Sequence, residues 1–336
     1  MSARGRRVAT LAAVVAVAAT MLLGGCASPS FPAVGAGAAV LPVRPEPAGT
    51  TVVDGPTSNG GSAPDCGDPT ASLAPTGPLP APGAMPPGST MDRIVRRGVL
   101  VVGVDQSTVP FGYRDPATGA LTGFDIAVAR QMAQALLGDP TRVNFRVESS
   151  SQRIPNLLAG DVDMVVQTMT ATCARRAQID FSSVYFDARQ RVLVPRSSPV
   201  QGLADLGGRP VCSIAGSTSI DAVATAPSHP VAVSVPEKSD CLVLLQQGQV
   251  DAVSTDDTIL AGFASEDRST EIRGPTIAGE PYAIGIAPQN ADLVRFVNGV
   301  LDRMRTDGTW ARIYAATPAL TALGPVPAPP APRYRG

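Results

Sequence analysis

The stretch Gly160-Asp161-Val162-Asp163-Met164-Val165 returns later in the chain as Gly248-Gln249-Val250-Asp251-Ala252-Val253. Each copy follows a short helical pattern, and each glycine suits the left-handed residue that commonly ends a helix. Each then runs into polar residues: Gln167, Thr168, Thr170 and Thr172 after the first copy, and Ser254, Thr255, Asp256 and Asp257 after the second. In open α/β sheets, ligands gather outside the carboxyl ends of strands. Two such ends, one in each half, predict two lobes that face a shared cleft.

Working outward, apolar runs at 99–104, 143–148 and 164–167 read as strands, with helical patterns over 125–137 and 152–159 between them. A second series follows, with strands over 211–213, 231–235 and 252–254 and helices starting near Ser219 and covering 241–247. Strands alternating with helices at this spacing describe βαβ units and largely parallel sheets. The fold class is therefore α/β.

The ends of the chain read differently. Of 33 prolines, fourteen fall between Pro29 and Pro87 and six between Pro318 and Pro332. Segments so poor in large apolar residues do not repay the entropy of ordering. This predicts a tether over 26–91 and a disordered tail over 319–336. Ahead of the tether, Arg4, Arg6 and Arg7 precede sixteen uncharged, mostly apolar residues (8–23) and then Leu23-Gly24-Gly25-Cys26. That is the layout of a secretory signal over 1–25, and it falls short of the roughly 20 residues a spanning helix needs. Leu-Gly-Gly-Cys resembles a bacterial lipobox. The resemblance implies cleavage before Cys26, acylation of that residue, and a location on the outer face of the cell membrane. The net charge of −1 gives nothing to hold a polyanion, which excludes nucleic acid as a partner.

Four cysteines remain for the exported body: Cys66, Cys173, Cys212 and Cys241. An even number in an oxidising compartment reads as two disulfides, with three pairings open. Cys212 follows the start of a strand and Cys241 opens a helical run in the same half, which favours Cys212–Cys241 and leaves Cys66–Cys173. The alternative, a metal site, finds no ligand spacing, and His229 is the one histidine in the chain. No metal or other cofactor is expected.

The run Gly103-Val104-Asp105, Pro110-Phe111 and Thr122-Gly123-Phe124-Asp125-Ile126 resembles the opening of family 3 solute-binding proteins, the polar amino-acid receptors of ABC importers. The likeness continues through Thr170-Ala171-Thr172-Cys173-Ala174-Arg175-Arg176, Asp205-Leu206-Gly207-Gly208-Arg209 and Gly216-Ser217-Thr218-Ser219, and closes with Asp307-Gly308-Thr309-Trp310. Actinobacterial glutamine- and glutamate-binding lipoproteins share the proline-rich ends and the Val253–Asp257 run. The resemblance implies a periplasmic-binding-protein-like fold of type II, with a discontinuous first lobe over 92–186 and 284–318 and a second over 187–283.

It also implies a site. A buried zwitterion needs fixed partners for both charges, and an arginine fork suits a carboxylate. Arg175 matches the family's α-carboxylate arginine, and Asp256 matches its ammonium-binding aspartate, with Asp257 as the competing position. Thr168 and Thr170 match contacts to the ligand backbone. The turn bearing Ser217 and Thr218 offers backbone N–H groups, although helix capping explains the serine as well. Asp105 matches a position that faces the ligand side chain, with a turn or capping role as its alternative. Thr108 and Ser150 stand where glutamine receptors commonly carry aromatics, Ile214 where a lysine is frequent, and Thr255 where a histidine adjoins the aspartate. The ligand side chain must be read by other groups, for which Gln190, Arg191 and Arg114 are candidates.

The function so implied is a monomeric, lipid-anchored receptor for glutamate, glutamine, aspartate or asparagine that delivers its ligand to an ABC permease. The same grip serves a sensor that docks on a membrane signalling protein. An enzyme is not expected, since no nucleophile elbow, phosphate loop or metal motif appears.

Overall fold

The computed structural model describes residues 45–55, 65–321 and 323–335. They form two large sheets, beside a three-stranded and a two-stranded one. Five strands make the first, in the order Val143–Val147, Leu100–Val104, Met164–Val165, Gly285–Ile286, Asp180–Phe181. Six make the second, in the order Thr51–Val53, Val231–Val235, Pro210–Ile214, Ala252–Asp256, Phe186–Pro195, Thr270–Tyr282. The three strands expected from each half pair in parallel. The chain leaves the first lobe through Phe186–Pro195 and returns through Thr270–Tyr282, which pair antiparallel from Phe186 against Tyr282 to Pro195 against Thr270. These long strands are the seam between the lobes.

The repeated stretch positions both strand ends. Gly160 caps the helix Arg153–Ala159 at φ 74°, where a side chain would be strained. Each lobe has its own buried apolar clusters, that of the first running on into the aromatic rings of Tyr185, Phe186 and Tyr282 at the crossing. Burying those rings fixes where the crossing strands emerge.

Both disulfides are present, Cys66–Cys173 and Cys212–Cys241, each with Cα atoms 5.5 Å apart. Cys26 lies outside the described residues.

The proline-rich ends correct the expectation of a free tether and tail. Thr51–Val53 extends the second lobe's sheet, antiparallel to Val231–Val235. Residues 65–91 lie on the first lobe, where Met85 is buried and Leu79 presses on the helix Ala291–Thr306 at Gly299. At the other end Leu320 is fully buried, and Tyr334–Arg335 pairs in parallel with Ser72–Leu73. The Tyr334 hydroxyl donates to Asp302 (2.7 Å), Arg305 to Pro330 O (2.9 Å), and Arg333 pairs with Asp68 (3.0 Å). Composition missed this because a few apolar pegs and side-chain hydrogen bonds to the strap's backbone replace a large apolar surface. Proline helps, since it lowers the entropy of the unfolded chain, and so does the cross-link at Cys66.

Candidate functional site

On the first lobe, strand Met164–Val165 runs out into the segment carrying Thr168 and Thr170. Thr168 stands at φ 40°, a region that β-branched residues avoid. Asp125 holds it there by accepting the Thr168 N–H (2.9 Å) and the Tyr185 hydroxyl (2.7 Å). Burial raises the Asp125 carboxyl to about 7. Further on, the Thr172 hydroxyl accepts the Arg175 N–H (3.3 Å) and caps the single turn Cys173–Arg176. That turn brings the Arg175 guanidinium back over the cleft. Its Nη1 donates to Thr170 O (2.8 Å) and its Nη2 crosses to Gly216 O of the second lobe (3.2 Å).

Arg153, which the motifs did not mark, stands beside it and is 3 % exposed. It donates to Ser150 O (2.8 Å), Gln167 O (3.2 Å) and the same Gly216 O (3.2 Å). Burial, and then the neighbouring Arg175, lower its pKa to about 9.

On the second lobe, Ser217 serves the helix Thr218–Ala224. Its hydroxyl accepts the Ile220 N–H (3.2 Å) and donates to Ile214 O (2.7 Å), so the capping alternative describes its side chain. Asp256 ends the strand Ala252–Asp256, the second copy of the repeated pattern. It accepts hydrogen bonds from the Tyr282 hydroxyl and from Ser219 Oγ (3.4 Å). Burial, and then the charge of Glu280, raise its carboxyl to about 8.

These residues converge. Thr168, Thr170 and Arg175 from the first lobe and Ser217, Thr218 and Asp256 from the second line one cavity of about 20 Å³, together with Arg153, Lys238 and Ser150. That volume suits roughly one water, so anything larger enters only when the lobes part. A larger mouth of about 340 Å³ shares Ser150, Arg153, Arg175 and Thr218 with the cavity.

Five expected or competing positions lie elsewhere. Asp105 forms a buried ion pair with Lys238 of the second lobe, and it accepts the N–H and hydroxyl of Ser107 (2.7 and 3.0 Å). Burial alone would raise its pKa, but Lys238 and Ser107 outweigh that and hold it at about 2. Its carboxylate is therefore committed to an interlobe latch and a turn. Gln190 is buried behind the site on Ser219 O (3.1 Å) and Ser254 (2.9 Å). Arg191 ties down Gly274 O (2.6 and 2.9 Å), and Arg114 donates to Gly119 O (2.7 Å). Asp257 accepts the Arg189 and Thr258 N–H groups (3.2 and 2.9 Å). Gln190 and Arg191 both lie on the crossing strand Phe186–Pro195, and neither lines the cavity.

Two lobes that bring a buried arginine and a buried aspartate to one cavity have the architecture of a solute-binding protein. The chain belongs to the bacterial extracellular solute-binding proteins of family 3, whose sequence profile matches residues 100–316. It is 35 % identical over 226 residues to the ABC transporter glutamine-binding protein GlnH of Bacillus subtilis, covering 67 % of this chain and 83 % of that one. It is 30 % identical over 232 residues to the glutamate-binding protein GluB of Corynebacterium efficiens (65 % and 78 % covered). Among solved structures, the L-cysteine receptor of Neisseria gonorrhoeae matches with a TM-score of 0.66 at 28 % identity, covering 72 % of this chain and all of that one. The family is one of receptors rather than enzymes.

Proposed function

We propose that the protein is an extracytoplasmic receptor that closes on a polar L-amino acid (glutamate, glutamine, aspartate or asparagine) and delivers it to an ABC permease. The observation that carries this reading is the meeting of Arg175 and Asp256, from opposite lobes, at one buried cavity. Arg175 takes the α-carboxylate and Asp256 the ammonium. The names of the Bacillus and Corynebacterium relatives support the side-chain class. So does Arg153, a buried cation on the cavity wall with no counterpart among the notable motifs. Because Lys238 neutralises Asp105, no free carboxylate stands there to repel an acidic side chain. Titration calorimetry against the twenty amino acids, with the ligand recovered afterwards, is the test. Stoichiometric binding of one of the four, returned unchanged, is expected; turnover, or a preference for a basic or aromatic amino acid, overturns it.

The lipobox-like Leu23–Cys26 run supports anchoring of the receptor through lipid on Cys26. Cys26→Ala is expected to move the protein from the membrane fraction to the medium, with an unchanged melting temperature. Membrane retention of that variant rules the anchor out.

A further inference from the structure

Glu280 lies on the returning strand Thr270–Tyr282, 1 % exposed, outside every motif that marked the site. Its Oε2 accepts the Thr170 hydroxyl from the first lobe and the Thr218 hydroxyl from the second (2.7 Å). One carboxylate is thus bonded to both lobes, through two residues that line the cavity shared by Arg175 and Asp256. Among the described residues these two neutral hydroxyls are its hydrogen-bond donors. The Arg175 guanidinium is near, but its Nη1 and Nη2 are directed at the carbonyls of Thr170 and Gly216. Asp256 likewise receives hydroxyls alone, from Tyr282 and Ser219.

Glu280 disfavours the charge of the buried Asp256, and among the described residues no cation is hydrogen-bonded to either acid. Burial raises Glu280 above its usual range, and Thr170, Thr218 and then Arg175 and Arg153 counter this in part. Asp256 feels burial, Glu280 and Asp257 in one direction and Tyr282 and Lys238 in the other. A structural carboxylate is ordinarily given a charge-assisted partner, and a cation that enters between these two would supply it.

The hydroxyls carry the same message. A threonine hydroxyl has one proton, and those of Thr170 and Thr218 are both directed to Glu280. Their oxygens therefore offer only lone pairs to the cavity that the two residues line. Such oxygens accept from N–H donors and cannot donate to a carboxylate.

Resting on the amino-acid reading above and extending it, we propose that Glu280 binds the ligand's α-ammonium as a second carboxylate beside Asp256, and turns Thr170 and Thr218 into acceptors for the same group. The ammonium then replaces a proton shared by the acid pair. Because the pair holds that proton more tightly without ligand than with it, affinity rises with pH until Asp256 ionises unaided, near pH 8. The gain is at most about tenfold per pH unit for one proton.

The test compares L-glutamate with L-2-hydroxyglutarate, which keeps both carboxylates but has no ammonium. Glu280→Gln is expected to weaken L-glutamate about tenfold or more and the hydroxy acid less than about threefold, and to flatten the pH dependence between pH 6 and 8. Equal losses for both probes, or none, overturn the proposal while leaving the receptor reading intact. A wild-type protein that binds none of the four amino acids overturns both. Should the amide variant not fold, or the hydroxy acid bind too weakly to measure, the wild-type pH slope decides: a flat profile for L-glutamate overturns the proposal.

Discussion

Arg175→Ala should weaken the binding of every amino acid the protein accepts by at least about a hundredfold, and Asp256→Ala by at least about tenfold, since Glu280 remains to face the ammonium. Both side chains are buried, 7 % and 5 % exposed, so water cannot take their place once the lobes close. A ligand charge left buried and unpaired costs about 3–5 kcal/mol, and each 1.4 kcal/mol is a factor of about ten. The two residues act from opposite lobes, so each makes contacts with the ligand that the open form lacks, which is what lets a ligand favour closure. Since they hold groups common to all amino acids, the loss should be nearly equal for two different ligands. Arg175→Lys should recover only part of it, because the compact ammonium lacks the planar fork. Dissociation constants measured for two ligands settle the matter. A loss below tenfold, or for one ligand only, would mean that the grip lies elsewhere.

Lys238→Met should part the lobes of the ligand-free protein. Lys238 and Asp105 are an interlobe ion pair with side chains only 5 % and 8 % exposed. Removing one partner strands the other charge in the interior, at a cost of about 3–5 kcal/mol. The chain has a way out that most buried pairs lack: opening the cleft returns Asp105 to water. The penalty should therefore appear as a population shift rather than as unfolding. Small-angle scattering should give a larger radius of gyration, and amino-acid affinity should fall, with little change in melting temperature. Asp105→Asn combined with Lys238→Met removes both charges and should restore much of the compact form. A Lys238→Met protein as compact as the wild type would show that other contacts hold the lobes together. Candidates are visible: a Cβ on Gly262 would stand 2.0 Å from Val109 O, and one on Gly216 would stand 2.9 Å from Ser151 Cα, each pairing one lobe with the other.

The architecture was legible because it rests on repetition. Gly160–Val165 and its echo place two strand ends by local rules, a left-handed helix stop followed by a short apolar strand, and those rules need no knowledge of the other lobe. Thr170 and Arg175 were legible for a similar reason, since one capped turn fixes their relation. The groups that escaped are those whose meaning comes from the closed cleft. Lys238 stood out only as the one lysine in the chain; nothing near it names Asp105, 133 residues away, as its partner. Glu280 precedes Pro281 in a stretch that reads as a plain crossing, and its two partners lie 110 and 62 residues off. Arg153 opens a helix, where an exposed arginine is ordinary, and burial alone sets it apart. The proline-rich ends escaped for the opposite reason. Their order comes from hydrogen bonds to the strap's own backbone, which composition does not count.

Those ends make the inherited module and the folding module different lengths. A chain trimmed to the region shared with the family, residues 100–316, would lose the Ser72 and Leu73 oxygens that accept from the Asn298 amide (2.7 Å each), and Cys173 would be left without Cys66. It would also lose Met85, Met91, Ile94 and Leu320, all buried in the first lobe's core. Here the segments that most resemble disposable linker are the first lobe's outer wall, and a trimmed protein that bound poorly would be reporting a damaged wall, not a wrong ligand.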